Sequence, residues 1–149
     1  MGKMQTKSAV WQVLIALTVL GIWGQSLLGQ ELSAAQSESV QGLLGRLFGE
    51  WIYDTFWYQY IRKVAHFAEY ALLGIEWMGY RLSMREKKRP SWWLLCAFGP
   101  LVAVCDELWQ FVSARAPRAT DVLLDVAGYA CGAAVIFGLA WLCRHLRKV

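Results

Sequence analysis

The sequence predicts an all-α, polytopic membrane protein: four transmembrane helices, with an amphipathic helix between the first and second spans. Three observations predict it. The 149 residues are 57% hydrophobic, with a mean hydropathy of +0.34 despite 15 basic and 11 acidic side chains. Apolar runs of about 20 residues recur, and at ~1.5 Å rise per residue each spans the ~30 Å of a bilayer core. Nine Trp in so short a chain suit a protein with two membrane interfaces, where indole rings settle at the headgroup level. We read residues 1–149 as one membrane domain.

The first span follows Lys3 and Lys7 and occupies about residues 9–28. A cleaved signal peptide is the competing reading, with Ser33-Ala34-Ala35 as its small-residue site, but the run is long for such a segment, which favours a retained helix. Gly29 to Gln41 is small and polar and reads as a connection. From Val40 the apolar residues Leu43, Leu44, Leu47, Phe48, Trp51, Ile52, Phe56 and Trp57 recur with helical period, opposite Arg46, Glu50 and Asp54. That pattern predicts an amphipathic helix lying on the membrane surface or over the mouth of the bundle.

The second span is expected at about 64–82, after Arg62 and Lys63. His66, Glu69, Leu73 and Glu76 share one of its faces, with Glu76 about 15 Å along the axis from His66. A basic loop carrying Arg81, Arg85, Lys87, Lys88 and Arg89 leads through Pro90 to the third span, about 92–112, where Pro100 predicts a kink. The fourth, about 121–143, presents Gly128, Gly132 and Ala133 as a small-residue face for close helix contact.

Charge and cysteine usage exclude several classes. The formal net charge of +4 comes from residues just outside the apolar runs, where they read as topology signals and contacts to anionic lipid, not as a nucleic-acid footprint. Cys96, Cys105, Cys131 and Cys143 lie inside apolar segments without Cys-x-x-Cys spacing, so they read as small buried hydrophobes. There is no nucleotide-binding loop and no Gly-x-Ser-x-Gly elbow.

Counting Lys and Arg on the two sides gives ten with the termini and the 81–89 loop against five on the other (Arg46, Arg62, Lys63, Arg115, Arg118). The rule that cytoplasmic loops are the basic ones then puts both termini in the cytoplasm. In consequence Arg62, Lys63, His66, Glu69, Asp106, Glu107, Gln110, Arg115, Arg118, Asp121 and Asp125 all fall at the outer ends of three helices. Acidic groups at a helix centre cost about 2.5–3.5 kcal/mol each on insertion scales, so they are expected to face one another or a wet cavity.

Spacing supports this convergence. Asp106 and Gln110 are i, i+4, and Glu107 is i, i+3 to Gln110. Asp121 and Asp125 are i, i+4 near the positive end of the fourth helix.

At these residues the sequence resembles the VanZ-like family of small bacterial membrane proteins. The matching pieces are Arg62-Lys63-x-x-His66-Phe67-x-Glu69-Tyr70 with Leu72 and Leu73, then Asp106-Glu107-x-x-Gln110, Arg115, and Asp121-Val122-x-x-Asp125-x-x-Gly128, over about residues 60–132. Ala114 stands where the family commonly has Gly, and Asp125 where it often has Asn. The resemblance implies a bacterial cell-membrane location and, from the protein for which the family is named, a link to teicoplanin susceptibility.

Three functional readings stay open. In the first, Arg62, Lys63, Gln110, Arg115, Arg118, Asp121 and Asp125 bind an anionic envelope molecule such as a lipid-linked phosphate or cell-wall precursor. His66 and Glu69, or Asp106 and Glu107, are its candidate acid and base. An enzymatic version adds a divalent metal ion on Glu69, Asp106, Glu107 and Asp125, with His66 admitting Zn²⁺ or Mn²⁺. In the second, ion pairs merely lock the helix ends. In the third, Glu76 extends a proton path inward for transport.

Overall fold

The structure, a computed structural model, describes residues 2–27, 30–55, 60–84, 88–112 and 119–147. All regular elements among them are helical: α1 (Gly2–Leu27), α2 (Gln30–Phe48), a 3-10 turn (Glu50–Asp54), α3 (Ile61–Ser83), α4 (Trp92–Val112) and α5 (Ala119–Leu146). Three stretches are long and apolar enough to cross a membrane: Ser8–Leu27, Trp92–Gln110 and Ala119–Leu146. Their outward faces carry Leu17, Leu20, Leu101, Leu108, Leu123 and Leu139 exposed. Apolar residues outside and polar ones inside is the arrangement expected when lipid is the solvent. Helix α3 has the length of a span at 23 residues. Arg62, Lys63, Glu69, Glu76 and Arg81 distinguish it from the other three in composition.

Helices α3 and α5 pack most intimately, and in parallel. A Cβ at Gly128 would sit 2.5 Å from the Phe67 carbonyl oxygen, one at Gly132 would collide with the Ala71 carbonyl, and one at Gly74 with the Tyr129 carbonyl. The small-residue face expected of the fourth span therefore meets backbone directly, and α3 reciprocates with a glycine of its own. Helix α1 runs antiparallel to α3, with Gln12 Nε2 donating to Tyr80 Oη at 3.3 Å, Thr18 Oγ1 to Glu76 Oε1 at 3.0 Å and Gln25 Nε2 to Glu69 Oε1 at 2.7 Å. Ile15, Ile22, Tyr70, Leu73, Val102, Ala103 and Tyr129 form the main apolar core. Helix α1 is thus part of the bundle.

Helix α4 is continuous through Pro100. Pro100 has no N–H to offer the carbonyl four residues back, and beside that weak point the Tyr129 hydroxyl donates to the Leu95 carbonyl at 2.8 Å. The Tyr129 ring also occupies the space that a Cβ on Gly99 would need.

Three expectations need correction. The segment Gly29 to Gln41 is not a simple connection, because α2 already begins at Gln30. Gln30, Glu31, Leu32, Ala34, Ala35, Gln36 and Glu38 are adequate helix formers uninterrupted by Gly or Pro, and their polarity says nothing against a helix. The amphipathic repeat does not continue as one helix past Phe48. Gly49 adopts φ 88°, a left-handed conformation that stops α2 before the 3-10 turn; Phe56 and Trp57 lie outside the described residues. Finally, Cys96, Cys131 and Cys143 are exposed and Cys105 half-buried, so they are not core residues. On a lipid-facing helix surface a thiol needs no burial in protein to avoid water.

Candidate functional site

The helix directions bring four polar ends together: the last turn of α1, the first turns of α3, the last turns of α4 and the first turns of α5. Asp106 and Asp125 are almost completely buried there, at 0% and 1% exposure, with Glu107 and Gln110 buried beside them. Asp106 is held on both oxygens, accepting from Ser26 Oγ at 2.5 Å on Oδ1 and from Gln110 Nε2 at 3.3 Å on Oδ2. Gln110 also reaches Glu107 Oε1 at 3.2 Å, as the i, i+3 and i, i+4 spacing predicts.

Opposite them, Nδ1 of His66 lies 4.0 Å from Oδ1 of Asp125. One turn earlier in both helices, Lys63 Nζ lies 3.9 Å from Asp121 Oδ1, and these two side chains are exposed and half-buried, respectively. The parallel register of α3 and α5, fixed by their glycines, thus pairs residue 63 with 121 and 66 with 125.

His66, Asp106 and Asp125, one from each of three helices, offer ligand atoms that all lie within 4.8 Å of one another. Glu69 and Glu107 stand outside that trio: Glu69 accepts from Gln25 and Glu107 from Gln110. Of the predicted anion-binding residues, Arg62 is exposed at the rim of an adjoining cleft, whereas Arg115 and Arg118 lie outside the described residues.

The cleft has a volume of about 710 Å³ and runs between the end of α1, α2 and the start of α3. Val40, Ile61, Val64 and Ala65 supply apolar wall, and Ser26, His66 and Glu69 connect it to the carboxylates. Ser26 and Gln25 escaped the sequence reading because they sit in a run whose overall apolarity marks it as a span. A polar pair in the last turn of that run is the signal that could have found them. Glu76 stands outside the trio: it is buried, accepts from Thr18, and lies about two turns along α3 from Glu69.

The VanZ/LLP1 family model matches residues 9–143, which takes in most of helix α1 as well as all the motif residues. No curated protein and no solved structure matches the chain.

Proposed function

Taking as premise that the chain belongs to the VanZ/LLP1 family, we propose that it crosses a bacterial cell membrane four times and binds the phosphate-bearing headgroup of an anionic envelope lipid or lipid-linked cell-wall precursor. α3 is the fourth spanning helix in this reading. Its inner carboxylates turn toward Gln25 and Thr18 rather than toward lipid, and the Arg81 guanidinium stacks over Trp92 at 3.8 Å near the other end.

The observation that carries the reading is the cleft itself. Apolar walls suit an acyl or isoprenoid chain, and Arg62 at the rim, with its planar fork, suits a phosphate. Holding a cell-wall precursor there is the route by which such a protein would alter teicoplanin susceptibility. A bundle closed only by ion pairs is less well supported. The Lys63–Asp121 pair at the helix ends is partly exposed, and pairs of that kind contribute only ~0–1 kcal/mol.

Native mass spectrometry of the detergent-purified chain, offered phosphatidylglycerol and phosphatidylcholine in equal amounts, tests the binding claim. Wild type should retain the anionic lipid selectively, and Arg62→Gln should lose about tenfold in affinity, ~1.4 kcal/mol. Equal retention of both lipids, or no change in the variant, contradicts it.

A further inference from the structure

We propose that His66, Asp106 and Asp125 form a binding site for one first-row divalent cation, of the Mn²⁺ or Zn²⁺ type. One imidazole and two carboxylates converge from α3, α4 and α5, with a ligand atom of each within 4.8 Å of the other two. Donors sharing an ion tetrahedrally at metal–ligand distances of about 2.0–2.2 Å lie about 3.3–3.6 Å apart. Side-chain rotation of about 1 Å closes the difference.

Two independent features point to a ligand at this spot. Oδ1 of Asp125 is buried and accepts no hydrogen bond, although the residue is only 1% exposed. A stranded carboxylate oxygen is costly in a low-dielectric interior unless a cation or proton meets it. The Tyr70 hydroxyl, on a residue of 0% exposure, is likewise without a hydrogen-bond partner, and the Asp106, Asp125, Glu69 and Glu107 carboxylates all act on it electrostatically. A water on the metal would donate a hydrogen bond to that hydroxyl oxygen.

The surroundings are those of an oriented ligand set. Ser26 and Gln110 fix Asp106 by hydrogen bonds to both oxygens, as outer-shell partners of a ligating carboxylate do. A nitrogen donor beside two oxygen donors favours a first-row cation over Ca²⁺, which takes oxygen ligands alone. The cation would join three helices at one point, whether or not a lipid fills the neighbouring cleft.

The test uses the full chain in detergent, stripped with chelator, offered Mn²⁺ or Zn²⁺ separately, dialysed, and assayed by elemental mass spectrometry. Wild type and the remote control Asp54→Asn should each retain about one equivalent and melt at a higher temperature with metal than without. Asp125→Asn should retain only background and show no metal-dependent rise in Tm.

Pulsed electron paramagnetic resonance of the Mn²⁺-loaded wild type should show coupling to one imidazole nitrogen, a readout that needs no variant to fold. Wild type without retained metal, full retention by a folded Asp125→Asn, or bound Mn²⁺ without nitrogen coupling would each overturn the proposal. Lipid selectivity is measured separately at Arg62, so either result can fail without the other.

Discussion

Ser26 is the residue on which the buried carboxylates most visibly depend. Its hydroxyl donates to Asp106 at 2.5 Å from a position of 1% exposure, so removing it strands an acceptor that water cannot reach. Hydrogen bonds to charged groups contribute about 1.5–3 kcal/mol. Ser26→Ala should therefore destabilise the protein by about that amount in reversible denaturation in detergent, and a loss under about 0.5 kcal/mol would contradict the assignment. The partly exposed Lys63–Asp121 pair should behave differently. Surface pairs are worth ~0–1 kcal/mol, so the double variant Lys63→Met, Asp121→Leu should retain its fold within that margin. The motif residues were legible because charged groups in apolar segments are conspicuous, and their spacing alone predicted the Asp106–Gln110 and Glu107–Gln110 contacts. Ser26 was not legible: a serine is inconspicuous in a helix, and only tertiary register shows what it faces.

At the scale of elements, the α3–α5 contact sets the geometry of the site. Gly74, Gly128 and Gly132 let backbone approach backbone, and that approach aligns Lys63 with Asp121 and His66 with Asp125. Overpacking typically costs about 1–3 kcal/mol. Gly132→Ala should lose at least that much, because its new methyl meets a carbonyl oxygen and not a movable side chain. Gly138→Ala, where nothing lies within 4 Å, should be neutral or slightly stabilising through helix propensity. Equal melting temperatures for the two variants would refute the close contact. The small-residue face of α5 could be read from the spacing of Gly128 and Gly132. Its partner could not, since Gly74 stands in a helix dominated by larger residues, five positions from Gly79 and without the four-residue spacing of Gly128 and Gly132. Likewise the helix periodicity near Leu43 was visible, but the break at Gly49 turns on one backbone angle that a glycine permits without requiring it.

Across the whole molecule, antiparallel connections gather the polar ends of α1, α3, α4 and α5 at one end of the bundle, with α2 beside the cleft they form. The polytopic class was legible because three apolar stretches announce it by composition. Helix α3 has the length expected of the second span, but its polar residues keep it out of the three stretches apolar enough to cross a membrane by composition. The central claim is that the charged cleft opens away from the cytosol, as the distribution of Lys and Arg implies. Thiol labelling of intact cells tests it most directly, in a chain whose Cys96, Cys105, Cys131 and Cys143 are replaced by Ala. Ser37→Cys lines the cleft, and Ser83→Cys ends α3 at the opposite end of the bundle. A membrane-impermeant maleimide should label Ser37→Cys in intact cells and Ser83→Cys only after permeabilisation; the reverse pattern would contradict the account.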